Sequence, residues 1–297
     1  MGYHTAHWEN TTMTDWGMIL SIGLIQNMFY ATILASVLCG IIGTYVVVKR
    51  IVFVSGGIAH ATFGGVGFAY YAQSVLLVSW FDPMLGAMVF AVGAALIIGS
   101  PRISKRLRED STIGVLWVVG MALGVLFISL TDHSAVLVRS YESILFGNVL
   151  LVSTQDLQFM MVMIVAVLAL VAFFYRDLQI VTFDEIHARI TGINVTFMNT
   201  LLYVLVALTC VFVMNVVGIV LVIALLTIPA AMASMFSNDL RQIMLLAIVS
   251  SLVLSLLGLV FAIEFNIPPG ASIVLTIAAF FLISLGVKSL NDRGYLS

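Results

Sequence analysis

A chain of 297 residues with 62% hydrophobic and only 9% charged residues cannot fold as a water-soluble globule, whose charged share is about 25%. The net charge of −2 says nothing about partners, no basic patch suggests nucleic acid, and the long apolar runs define a polytopic membrane protein in a lipid bilayer. The two cysteines, Cys39 and Cys210, lie within apolar runs and read as packed thiols rather than a disulfide.

The first 16 residues are polar, include Glu9 and Asp15, and differ from the short basic start of a cleavable signal peptide. They read as an external tail in which His4 and His7 either touch one metal on a helical turn or remain mobile. Apolar runs suited to crossing a bilayer follow at 17–48, 53–78, 83–100, 111–130, 156–175, 197–214, 217–236, 241–263 and 271–288. The first is overlong, with Gly40 and Gly43 as bend points. The seventh contains Pro229 and is separated from the sixth only by a turn at Asn215, so it is either a span or a broken, re-entrant segment. The expected fold is an all-α polytopic bundle of eight or nine transmembrane helices forming a single domain over 1–297.

Lys and Arg near span ends are retained on the cytoplasmic side. Nine spans with an external N-terminus place Lys49, Arg50, Arg102, Lys105, Arg106, Arg108, Arg176, Arg189, Arg241, Lys288 and Arg293 inside, and only Arg139 outside. The expected location is the plasma or inner membrane, multi-pass, with the C-terminus cytoplasmic. The external face receives Glu9, Asp15, Asp82, Asp132, Glu142, Asp156 and Glu264, which either steer cations or are merely permitted there.

Within the second run, SGGIAHATFGGVGFAYY at 55–71 holds a histidine among small residues. On a helix Gly56, His60 and Gly64 share one face, while Gly57, Ala61 and Gly65 form the adjoining row. Small residues at this spacing let another helix or a substrate approach the backbone, and an ionisable group at membrane depth is a functional candidate. A neutral imidazole suits a transient site for Zn, Mn or Fe ions; the alternative is a histidine that only hydrogen-bonds a neighbouring helix. Candidate co-ligands are Asp132, His133 and Glu264.

The longest internal connection, RDLQIVTFDEIHARITGINVT at 176–196, reads as a short amphipathic helix capped by Thr182 or Asp184. Ile186 and Ile190 recur at helical spacing, and Gly192 with Asn194 supplies the stop. Its apolar face either docks on a soluble partner or lies on lipid headgroups. No GxxxxGK[ST] or HExxH motif is present, so neither that phosphate cradle nor that metalloprotease site is built.

Several stretches resemble the permease subunits of metal-type (zinc, manganese or iron) ABC transporters. They are VVVKRIVFVSGGIAHATFGGVGFAY at 46–70, EDSTIGVLWVVGMALGVL at 109–126, ILFGNVLLVSTQDL at 144–157, VVGIVLVIALLTIPAAMA at 216–233 and NIPPGASIVL at 266–275. The resemblance implies a type II ABC importer-like permease that is not itself an enzyme and binds no permanent cofactor. It implies a second permease chain in a homodimer, a cytoplasmic ATP-binding subunit that uses the ATP, an extracytoplasmic metal-binding protein and a transported divalent metal ion. The coupling segment corresponds to Phe183 to Gly192, with Asp184, Glu185, Ile186 and Arg189 within it. The family's usual acid one turn before the membrane histidine is here Gly56. Alternative cargoes or drives are a metal chelate such as a siderophore or cobalamin, and an ion gradient.

Overall fold

The structure, a computed structural model, describes residues 23–101, 108–132, 136, 141–147 and 152–294. The N-terminal tail, Arg102, Lys105, Arg106, His133 and Arg139 lie outside the described residues. In chain order the elements are α1 (Gly23–Val48), α2 (Val52–Ser74), α3 (Pro83–Ile98), α4 (Glu109–Leu130), α5 (Tyr141–Phe146) and α6 (Thr154–Phe173). They continue with α7 (Tyr175–Phe183), α8 (Glu185–Ile190), α9 (Val195–Val217), α10 (Ile219–Ser234), α11 (Leu240–Glu264) and α12 (Pro269–Gly294). Among the described residues, 7 helices are long and apolar enough to cross a membrane, and α3 and α10 are shorter apolar helices of 16 residues each. Lipid offers the backbone no hydrogen bonds, so each apolar run must satisfy its N–H and C=O groups internally. The all-α, multi-span expectation is what the structure shows.

The bundle has two chemically distinct ends. At one, the Lys49 ammonium meets α7 and α8, Arg241 Nε donates to the Tyr175 hydroxyl at 3.4 Å, and Lys288 donates to the Met235 carbonyl. At the other, the Asp132 N–H donates to Ser74 Oγ at 3.3 Å and Asn215 Nδ2 donates to Asp156 Oδ1 at 3.3 Å. These are the basic and acidic ends.

One sequence expectation changes. The chain breaks between α9 and α10 not at Asn215 but at Gly218, whose φ of +84° suits a residue without Cβ. Asn215 stays helical, and α10 then runs about 24 Å from the acidic to the basic end with Pro229 inside it. Gly40 and Gly43 do not interrupt α1, which is one helix from Gly23 to Val48. They are points of close approach: a Cβ on Gly40 would lie 2.8 Å from Ile248 Cα, and one on Gly43 would run into the Leu226 carbonyl.

Helix α2 is the most enclosed of the long spans, packed between α3 and α4. Gly65 faces Gly86 of α3 backbone to backbone, Gly64 and Gly67 face Gly120 and Gly124 of α4, and Gly57 meets Ile113. Without a hydrophobic drive between helices in lipid, such approach supplies the dispersion contacts and weak backbone interactions that hold spans together. A side chain at Gly65 would strike the Gly86 carbonyl and lie 2.8 Å from Phe90 Cβ, and backbone cannot swing aside. Gly65→Val should therefore lose about 3 kcal/mol, the upper end of overpacking costs. A fall in thermal unfolding temperature in detergent measures it, with Gly114→Ala, where nothing lies within 4 Å, as the control that keeps wild-type stability.

Candidate functional site

His60 sits on α2 about 12 Å along the axis from Val52 and about 21 Å from Ser74, at membrane depth. The ring is half-buried and its Nδ1 is buried without a hydrogen-bond partner. A lone buried imidazole nitrogen is costly, by about 1–3 kcal/mol, so it calls for a compensating role. The indole of Trp117 on α4 stacks over the imidazole with ring centroids 4.4 Å apart and planes inclined by 21°. Stacking covers the face of the ring but leaves the in-plane lone pair, the one a cation would use, pointing past the indole.

The small-residue rows flanking His60 are filled rather than empty. Trp117 occupies the space beside Gly56, Ile113 that beside Gly57, Gly120 that beside Gly64 and Gly86 that beside Gly65. In this conformation the rows serve helix packing. Beyond Trp117 the outer face of α4, with Val118, Met121, Ala122 and Val125, forms a shallow apolar groove that none of the described residues covers.

Asp132 and Glu264, the two proposed co-ligands among the described residues, stand at helix ends rather than at the level of His60. Asp132 is joined to Ser74 at the acidic end, Glu264 is the last residue of α11, and His133 lies outside the described residues. Among the described residues no group of three or more His, Cys, Asp and Glu side chains could hold a metal. A separate cavity of about 250 Å³ opens at the acidic end, lined by Tyr70, Asp82, Gln155, Asp156 and Asn215 among others. Its α2 residues, Val66 and Tyr70, lie about 120° and 80° around the helix from His60, so it opens on a different face. Its carboxylates already cap helices: Asp82 Oδ1 accepts the Met84 N–H at 2.9 Å, and Asp156 forms a reciprocal capping box with Ser153.

At the basic end the 176–196 connection is two helices, α7 and α8, not one. Asp184 is the cap, its Oδ1 accepting the Ile186 and His187 N–H groups at 2.8 and 3.0 Å, whereas the Thr182 hydroxyl donates back to the Leu178 carbonyl. Gly192 has φ +83° and Asn194 caps α9, as the sequence signals suggest. Ile186 and Ile190 are 73% and 79% exposed, and Phe183 is also exposed, giving an apolar edge at this end. Beneath it Glu185 Oε1 accepts from Lys49 Nζ at 2.7 Å and from Asn199 Nδ2 at 3.0 Å, while Lys49 also donates to the Val181 carbonyl at 3.1 Å. Arg189 is more distant, at 4.0 Å. Burial pushes the Glu185 carboxyl up, but the hydrogen bonds from Lys49 and Asn199 and the charges of Lys49 and Arg189 outweigh it and hold the group below its usual range. In the sequence Lys49 stands out only as an orientation signal, and Asn199 and Trp117 do not stand out at all. The opposite charges of Lys49 and Glu185 on one predicted side were the available clue; Trp117 left none in an apolar helix.

The fold is that of a multi-spanning helical membrane protein with one imidazole, His60, within an apolar span. The model of the ABC 3 transport family matches residues 21–288, and the chain belongs to that family. It is 35% identical over 266 residues to the manganese transport system membrane protein MntC of Halalkalibacterium halodurans, covering 90% of this chain and 88% of that one. The corresponding MntC of Listeria innocua is 32% identical over 266 residues, covering 90% of this chain and 91% of its own. Among solved structures, PsaBC from Streptococcus pneumoniae in complex with Fab matches with a TM-score of 0.78 at 32% identity, over 91% of this chain and 93% of that chain. The chain is thus a metal-type ABC transporter permease, a transport subunit rather than an enzyme.

The Lys49–Glu185 attraction is complete at pH values where an unfolded glutamate is ionised and is lost as pH falls through the depressed folded value. Wild type should therefore be more stable than Glu185→Gln at neutral pH, with the gap closing on acidification below the ordinary carboxylate range. Unfolding temperature against pH for the two proteins measures this, and the gap is modest because the carboxylate side chain is 40% exposed.

Proposed function

We propose that the chain forms the membrane pathway of an ATP-driven importer for divalent ions of the zinc, manganese and iron class, with His60 as a ligand at membrane depth. The observation that carries this reading is the buried, unpartnered Nδ1 of His60, about a third of the way along the most enclosed span of an ABC 3 permease. A neutral imidazole binds such ions and, with few other donors nearby, releases them again. In this reading the basic end faces the cytoplasm, the N-terminus is outside and the C-terminus inside. Asp132, His133 and Glu264 act at the external mouth, where a metal-binding protein delivers the ion, rather than beside His60.

A second copy of the chain covers the outer face of α4, completing a single-domain permease pair with His60 near the shared pathway. Phe183, Ile186 and Ile190 offer the cytoplasmic ATP-binding subunit an apolar helix edge, with Glu185, Arg189 and Gly192 shaping it. Movement of α8 would pull on Glu185 and so on Lys49, which stands at the short turn into α2, where Arg50 has φ +62°. The ATP cycle then tilts α2 and its neighbours, opening the His60 level to each side in turn.

Replacing His60 by Ala should abolish metal uptake by proteoliposomes carrying the assembled transporter while leaving co-purification with the ATPase intact; uptake at the wild-type rate would refute the ligand role. Ile190→Asp should leave the unfolding temperature unchanged but reduce ATPase co-purification at least severalfold, and undiminished recovery of the complex would remove the docking edge.

A further inference from the structure

The indole of Trp117 does more than pack against the ring it covers. A Cβ built on Gly56 would lie 2.6 Å from Trp117 Cζ3, 3.0 Å from Cη2 and 3.3 Å from Cε3. Contacts that short mean that no side chain longer than hydrogen fits at position 56 while the indole keeps its place. Position 56 is one helical turn before His60, on the same face, and is one of the few positions on α2 from which a carboxylate could share a cation with the imidazole. Among the described residues, Asp82, Asp132, Asp156, Glu185 and Glu264 stand at helix ends, with Asp132 held at Ser74, about 21 Å along α2 from His60. Among the described residues the His60 level therefore offers one imidazole and no carboxylate.

Donor type sorts cations. Carboxylate oxygens suit manganese, magnesium and calcium, whereas imidazole nitrogen favours zinc and the later transition metals, which also stand above manganese in the general affinity order. We propose that Trp117 and Gly56 together determine the cargo: by excluding a carboxylate from beside His60, they make the pathway select zinc-like borderline cations over manganese. Trp117 acts through His60, fixing the ring plane and filling the carboxylate's space, so it is a positioning residue. A second copy across the α4 face preserves this bias, because it brings another imidazole under another indole. The proposal rests on His60 being a ligand, and it names the cargo which that reading leaves open.

Competition uptake by the assembled wild-type transporter in proteoliposomes, with labelled zinc and manganese at equal free concentrations, is the first measurement. Zinc should be favoured at least tenfold, and parity or a manganese preference overturns the proposal. The second uses the double variant Gly56→Asp with Trp117→Ala, which removes the indole and supplies the carboxylate. The zinc-to-manganese ratio should fall at least tenfold toward manganese, whereas Trp117→Phe, which keeps a stacked ring, should retain zinc preference. An unchanged ratio in a double variant that still carries metal overturns the proposal. If that variant does not assemble, the wild-type competition alone decides. Failure of the underlying reading looks different: His60→Ala would then transport both ions at wild-type rates.

Discussion

Close backbone approach around α2 is the constraint on which the rest of the structure depends. In lipid, apolar side chains gain little by leaving hydrocarbon for one another, so spans associate through tight packing and a few polar contacts. Gly65 against Gly86, and Gly64 and Gly67 against Gly120 and Gly124, bring three helices to separations that any Cβ would forbid. That closeness sets where α4 lies along α2, and with it which residue of α4 reaches His60. Trp117 covers the imidazole because Ile113 and Gly120, on the turns either side of it, are seated against Gly57 and Gly64. A looser α2–α4 pair would leave the ring uncovered and the space at Gly56 open.

The ends of the bundle follow different physics. Lys49 has an 8% exposed side chain, and a buried ammonium without partners would cost several kcal/mol. It is matched by Glu185 and the Val181 carbonyl, while Asn199 supports Glu185. Such a pair is weak evidence for stability, since its attraction largely offsets desolvation. What it supplies is position: few other placements of α7 and α8 against α1 satisfy the ammonium and both carboxylate contacts together. The spans are thus held by shape and the connecting helices by charge.

Much of the fold was legible because the bilayer demands it. Runs of about 20 apolar residues interrupted by polar breaks leave few alternatives to helices. Asp184, Gly192 and Asn194 announced helix boundaries because capping is local chemistry carried by one side chain and its next few amides. The misreadings have physical reasons too. Gly40 and Gly43 look like bends in one dimension, and what the sequence does not show is that they also accommodate Ile248 and Leu226 from helices more than a hundred residues away. Asn215 resembles a turn residue, but its amide serves Asp156, and Gly218 takes the left-handed backbone. The 176–196 segment suggests a single helix because Thr182 and Asp184 signal where one element starts, and nothing local signals that another ends at Phe183.

The candidate site was legible only at its centre. A histidine in an apolar run is conspicuous because ionisable groups are expensive there, whereas an aromatic residue in such a run is ordinary. Trp117 acquires meaning only when α4 is placed beside α2, since Gly56 and Trp117 each look unremarkable until their volumes compete for one space. Gly56 therefore changes its interpretation. Read from the sequence it is a missing carboxylate, an incomplete version of a site; read in three dimensions it is the vacancy that an indole requires. Absence of an acid at 56 and presence of an aromatic ring at 117 are one structural feature, and neither residue can be altered without confronting the other.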